Sequence, residues 1–192
     1  MSAVRDPLPS FTAEGVLPPG DYALMLAELA ASSLVDRLEN DASAWDSVWR
    51  AELVRNLDVL VGQLWQVGID AIYVDGSFVE EKAHPNDIDG YFECDVRYLA
   101  SGGLERDLNA LDPHKAWTWR PQSRRYDPDS GKAQLPMWFA YRVELYPHFG
   151  QPAGITDQFG HQLQFPAAFR LSRRAHTPKG IIRLVKPQGG KQ

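Results

Sequence analysis

Apolar side chains recur at helical spacing in two early stretches of the chain. After Pro18-Pro19-Gly20, Asp21 offers an N-cap carboxylate. Tyr22, Met25, Leu26 and Leu29 follow on one stripe, with Leu38 beyond, while Asp21, Glu28, Ser32 and Asp36 take the other side. This spacing predicts an amphipathic helix from Asp21 to about Glu39, its stripe facing a core. A second helix is predicted from near Ser43, where Ser43-Ala44-Trp45-Asp46 resembles a capping box with Asp for Glu. Trp45, Trp49, Leu53, Leu57, Leu60 and Leu64 mark its face, and Gly68 stands where a left-handed C′ residue belongs. Two long helices ahead of any strand exclude a simple βαβ opening.

The pattern then changes to that of strands. Ile69 to Asp75 reads as a buried strand broken by Gly76-Ser77, and a polar connection runs to His84-Pro85-Asn86. Asp87 to Cys94 alternates: Asp87, Asp89, Tyr91 and Glu93 share one face, and Ile88, Phe92 and Cys94 the other. Leu104, Leu108 and Leu111 give a shorter helix after Ser101-Gly102-Gly103, and residues 112–136 read as a loop. Met137 to Tyr146 alternates as a strand, with Val143 and Leu145 opposite Arg142, Glu144 and Tyr146; residues 147–166 are punctuated by Gly and Pro, and residues 180–185 predict a last short strand. The fold class expected is α+β: a mixed sheet flanked by helices with a two-helix N-terminal extension. Residues 1–68 would form the lead-in and helical hairpin packed on a core of residues 69–192, the whole one compact domain.

Composition narrows the class. The chain has 192 residues, of which 44% are hydrophobic and 23% charged, so a folded globular domain is expected and wholesale disorder is excluded. No apolar run approaches the ~20 residues of a membrane span. The first ten residues lack an apolar signal core, and Cys94 is the single cysteine. These features predict a cytoplasmic protein that does not engage membranes. Net charge is −5, divided as −12 on residues 1–157 and +7 on residues 158–192. The basic end (Arg170, Arg173, Arg174, Lys179, Arg183, Lys186 and Lys191) either binds a polyanion or packs on the acidic body.

The chemistry concentrates in Asp75-Gly76-Ser77, nine residues, then Asp87-Ile88-Asp89. Glycine permits a sharp turn and close approach to a ligand, and serine adds donors for phosphate. Asp87 and Asp89, two apart on one strand face, repel each other until a divalent cation relieves the repulsion. Magnesium in phosphoryl-transfer sites takes one or two carboxylates and fills its shell with phosphate oxygens. Glu144, flanked by apolar neighbours in mid-strand, is a candidate third carboxylate if its strand lies beside that of Asp87.

Elsewhere the signals are bland. His84, His114, His148, His161 and His176 are scattered without zinc-helix spacing. Cys94 falls on an apolar face, as a buried thiol. Gly102-Gly103 lacks the lysine of a phosphate loop. Trp117, Trp119, Arg120, Arg124 and Arg125 mix rings and bases as single-stranded nucleic-acid binders do, but Asp127 and Asp129 favour a plain surface loop.

Gly76-Ser77, the spacer and Asp87-Ile88-Asp89 together resemble the signature of the polymerase-beta-like nucleotidyltransferase superfamily. Gly15-Val16-Leu17-Pro18-Pro19-Gly20, Asp75-Gly76-Ser77-Phe78-Val79, Pro85-Asn86-Asp87-Ile88-Asp89 and Pro178-Lys179-Gly180-Ile181 are similar to pieces of a small, uncharacterised bacterial family assigned to it. The resemblance implies a nucleotidyltransferase fold and two Mg²⁺ ions (Mn²⁺ as substitute) on Asp87, Asp89 and Glu144. It implies that Gly76 and Ser77 hold an NTP, with Lys82 and Lys179 as candidate phosphate contacts. An acceptor hydroxyl, on an RNA 3′ end or a protein, would attack the α-phosphorus and release pyrophosphate, in a toxin–antitoxin or defence setting. The chain departs from the pattern at Asp75, where an apolar residue is usual before the glycine, at Gly90 after the second carboxylate, and at Glu144, where Asp is commoner. These departures keep open a second reading, an inactive module of the same fold that binds a nucleotide or a partner protein. A third is an interaction protein built on the Trp45/Trp49 face. Oligomeric state is left open.

Overall fold

A computed structural model describes residues 6–37, 45–173 and 177–187. Leu38, Glu39, Ser43, Ala44, Arg174, His176 and Lys191, singled out above, lie outside the described residues. The chain is α+β, and its centre is a five-stranded mixed sheet.

Of the helix predicted from Asp21 to about Glu39, the described residues form only one turn. Asp21–Leu24 is a strand, β1, followed by the single-turn helix α1, Leu26–Ala30. The sequence pattern is helical, but its first four residues exchange backbone hydrogen bonds with a neighbouring sheet edge, and only one turn of helix follows. The edge comes from the far end of the chain. Gly180 N–H donates to the Leu17 carbonyl and Ile181 N–H to that of Gly20. A Cβ on Gly180 would sit 2.5 Å from the Pro18 oxygen. The Pro-Pro-Gly and Lys-Gly-Ile pieces therefore meet, and glycine is required where they do.

The second helix is formed: α2 spans Ser47–Gln66, capped by Asp46, whose carboxylate accepts the Trp49 N–H. Its buried side includes Leu53, Leu57, Leu60 and Leu64, and Gly68 beyond it has φ +84°. β2 (Ile72–Asp75) leads into a tight 3-10 turn, Gly76–Val79, and β3 is Ile88–Glu93. Asp95 then caps a short helix that the sequence pattern did not reveal, α3 (Val96–Ala100), ahead of α4 (Gly103–Leu111).

The stretch expected to be a plain loop folds back as a hairpin, β4 (Arg125–Asp127) and β5 (Lys132–Gln134). Its tryptophans are not on the surface. Trp117 is wholly buried and donates to Gln63, and Trp119 donates to the Leu145 carbonyl. The predicted strand over 137–146 divides in two. Pro136 opens a helix, α5 (Pro136–Tyr141), which Arg142 ends at φ +54°, and the strand, β6, is Val143–His148. Proline at a first helical position needs no amide hydrogen, so the turn forms where alternation alone suggested extension. A second hairpin, β7 (Pro152–Thr156) and β8 (Gln162–Gln164), and a turn of helix, α6 (Phe165–Ala168), precede the final strand β9, Ile181–Leu184.

Strand order in the main sheet is β1-β9-β2-β3-β6. The outer pairs β1/β9 and β3/β6 are parallel, and the inner pairs β9/β2 and β2/β3 are antiparallel. One face carries Leu24, Ile72, Val74, Ile88, Phe92, Val143, Leu145, Ile182 and Leu184 into a core shared with α2 and α4. That core draws on residues from Leu8 to Leu184, so the N-terminal segment and the remainder share one interior. The opposite face carries Tyr73, Tyr91 and Tyr146 in neighbouring register beneath Phe165 and Phe169 of the α6 region. No described helix is long and apolar enough to cross a membrane.

Candidate functional site

Strand register decides whether the acidic residues meet. Asp75 on β2 pairs with Asp89 on β3, and Asp89 pairs with Glu144 on β6. Because side chains alternate along strands and register partners share a face, the three carboxylates form one row across the second face. Asp87 precedes β3 by one residue and lines the same cleft. Asp87, Asp89 and Glu144 thus line one cleft, and Asp75 extends the row.

The cleft has a volume of about 620 Å³, ordinary for a small-molecule site. Gly76, Ser77, Lys82 and Lys179, the sequence-derived phosphate contacts, all line it. Gly76 has φ +74°, and a Cβ there would lie 2.7 Å from Asp89 Oδ2. Both the left-handed turn and the approach of the turn to the carboxylate therefore demand glycine.

Each acid has a distinct environment. The Trp138 indole donates to Asp87 Oδ2 at 2.8 Å. Glu144, 4% exposed, accepts the Leu135 N–H on Oε1 at 2.7 Å and the Tyr146 hydroxyl on Oε2, with Arg124 3.7 Å away. No described residue donates a hydrogen bond to the Asp89 carboxyl group. Burial first, then the charges of Asp87 and Glu144, raise its carboxyl to about 7. Burial also pushes Asp75 well above the ordinary carboxyl range, against the pull of Lys179. Carboxylates that raise one another in this way store repulsion that a cation would relieve.

Lys179 is not a surface residue. It is 4% exposed, 3.0 Å from Asp75 Oδ1 and 2.8 Å from Glu80 Oε1, and it donates to the Gly76 carbonyl at 3.1 Å. Asp75, the departure before the glycine, is therefore the buried partner of an ammonium that also grips the turn. Lys82 is partly exposed on the cleft wall.

Several contributors lay outside the expected site set. Lys132 on β5, and Arg173 from the basic end, line the cleft and, like Lys82, make no ion pair with a described residue. Their charges act on Asp89, lowering its carboxyl against the larger upward effects. Arg124 joins the Glu144–Tyr146 pair. Arg50 on α2, which reads as a solvated helix position, is wholly buried with no carboxylate beside it. It donates to the carbonyls of Leu34, Phe78, Glu80 and Lys82, and lies 3.9 Å from the Trp45 ring centre. Burial pulls this guanidinium down to about 9. Three of its four carbonyls belong to the loop after Gly76-Ser77, so α2 fixes the backbone that carries Glu80 and Lys82. Only the three-dimensional path of that loop reveals this.

The basic end largely packs on the body. Arg170 forms a two-bond pair with Asp21, Lys186 pairs with Asp70, and Lys179 is sequestered as described. Cys94 is half-buried, and burial pushes its thiol up to about 11, in keeping with an inert thiol.

The donor set bears directly on the expected magnesium. Among the described residues no group of three or more His, Cys, Asp or Glu side chains is drawn together to hold an ion by protein atoms alone. The Asp87–Asp89 pair, with the Asp89 carboxyl group free of hydrogen bonds from described residues, fits an ion that takes one or two carboxylates and completes its shell with phosphate oxygens. Glu144 has each oxygen engaged by a donor and fits less directly.

Fold and cleft together define an α+β protein with a carboxylate-lined pocket at one end of a mixed sheet. Residues 9–185 match DUF6932, a family of unknown function, and the chain belongs to that family. Comparison with curated proteins and with solved structures gives no match.

Proposed function

We propose that the protein is a nucleotidyltransferase of polymerase-beta-like fold, moving a nucleoside monophosphate from an NTP to a hydroxyl on RNA or protein. The observation that carries the proposal is the alignment of Asp89 with Glu144 across β3 and β6, with Asp87 beside them, at a cleft lined by the Gly76-Ser77 turn. The sequence signature points to the same residues.

Asp87 and Asp89 would hold Mg²⁺, which when bound neutralises phosphate charge and lowers the pKa of an oxygen it contacts. The chain's own residues supply the rest. Lys82, Lys132 and Arg173 offset the charge of the triphosphate. Gly76 leaves room for close approach, and Ser77 lines the wall above it. Lys179 keeps the turn fixed through the Gly76 carbonyl, and Arg50 fixes the loop behind it. In the transfer, the acceptor oxygen bonds to the α-phosphorus, the bond to the bridging oxygen of the β-phosphate breaks, and pyrophosphate departs while the hydroxyl proton passes to solvent. Such chemistry asks mainly for positioning and charge stabilisation.

Incubation with each of the four α-labelled NTPs, Mg²⁺ or Mn²⁺, and bacterial RNA or protein tests this. Label is expected in one acceptor class, and at least about a hundredfold less with Asp87→Asn,Asp89→Asn. Absence of transfer from all four NTPs to either class refutes the assignment. The hydrogen bonds to both Glu144 oxygens favour one second reading, a nucleotide-binding module without turnover. It predicts NTP binding that survives the same double substitution.

A further inference from the structure

The cleft lining is of two chemical kinds. One is the acidic row of Asp75, Asp89 and Glu144, with Asp87 beside it. The other is a carbon-only set, Ala153 and Ile155 of β7, Phe165 and Ala168 of α6, and Phe169 and Leu171 just beyond. None of these six side chains has a hydrogen-bonding atom. All belong to the excursion between β6 and β9, which lies over the second sheet face.

Phe165 is central to this wall. It is partly exposed, and its ring stacks on Tyr146 at 5.4 Å with planes 19° apart. Phe165 also lies 6.2 Å from Tyr91, which stacks in turn on Tyr73 at 4.7 Å. The platform is thus backed by three strands. Tyr146 follows Glu144 by two positions on β6, about 7 Å along the strand. A ligand whose phosphates meet Asp87 and Asp89 would have to extend about that far to reach Phe165.

We infer that this carbon-only wall is that of a nucleobase compartment in which Phe165 supplies a stacking surface and no side chain reads the base edge, so that purine and pyrimidine triphosphates bind alike. The inference rests on the nucleotidyltransferase reading and specifies its substrate: any NTP, without strong base choice. A base is the flat, apolar part of an NTP, and each base has a π-face, so stacking on an aromatic ring tolerates sequence. Strong rejection of a near-isostere requires a site built around hydrogen bonds, which these side chains do not provide.

Calorimetric titration of the full chain with Mg²⁺ and each of ATP, GTP, CTP, UTP and inorganic tripolyphosphate tests the inference. The four NTPs are expected to bind within about tenfold of one another, each at least about fivefold tighter than tripolyphosphate. Phe165→Ala is expected to weaken NTP binding about tenfold and leave tripolyphosphate unchanged, and Phe165→Trp to restore NTP binding. The unchanged tripolyphosphate affinity guards against an unfolded variant. Equal binding of tripolyphosphate and NTPs, or preference for one base beyond about tenfold, overturns the compartment while leaving the nucleotidyltransferase reading intact. No binding of NTP or tripolyphosphate overturns both.

Discussion

Replacing Asp89 by asparagine removes a charge and keeps the shape. In the wild type the folded-state carboxyl stands near 7 against an ordinary 3.8. At about 1.4 kcal/mol for each tenfold, holding it ionised would cost about 4 kcal/mol. Asp89 retains some exposure to solvent, which reduces the figure to roughly 2 kcal/mol. The sign follows from linkage. A carboxyl raised in the folded state binds more protons folded than unfolded, so its contribution to stability falls as pH rises from about 4 and levels off above about 7. The amide of the Asp89→Asn variant has no such dependence. In buffers containing EDTA, Asp89→Asn is therefore expected to melt about 4–8 °C above wild type at pH 8, with a smaller gap at pH 5. Paired thermal melts at several pH values check this. A gap that stays constant or shrinks between pH 5 and 8, or a variant less stable at pH 8, refutes the view that Asp89 is held ionised under repulsion.

Arg50→Ala leaves four backbone carbonyls and two aromatic faces without their cation, and should lower stability by about 3–5 kcal/mol in urea titrations. Lys179→Met strands the buried Asp75 carboxyl and should cost about 3 kcal/mol, most of it recovered in Lys179→Met,Asp75→Asn; a double-mutant cycle with no coupling refutes the pairing. Gly76→Ala forces a side chain into the left-handed region and against Asp89, with an expected loss of about 1–3 kcal/mol by chemical denaturation. Millimolar Mg²⁺ at pH 8 should raise the wild-type melting temperature and leave that of Asp87→Asn,Asp89→Asn unmoved.

Much of the site was legible because its signals are local. Gly76-Ser77 ends one strand and Asp87-Ile88-Asp89 opens the next, so spacing and alternation suffice to put both on a shared face. Glu144 stands out as an acid among apolar neighbours, although the strand containing it begins at Val143 and not at Met137, where its alternation starts. What stayed hidden depends on contacts between distant segments. The stretch after Asp21 has a helical stripe, yet Ile181–Leu184 captures its first four residues as a strand. Arg50 looks like any charged helix residue until the carbonyls of residues 78, 80 and 82 surround it. Lys132 and Phe165 lie on a hairpin and a helical turn whose position over the sheet no local pattern encodes.

The placement of β9 has a further consequence. Asp21 lies opposite Ile181, and the same late strand separates β1 from β2. A nascent chain lacking it would leave the first strand without a neighbour, the second with an open border, and Asp75 without its ammonium. The pocket thus takes shape only once residues 179–184 have joined the sheet, and a chain interrupted before them lacks both the shared strand and the buried cation.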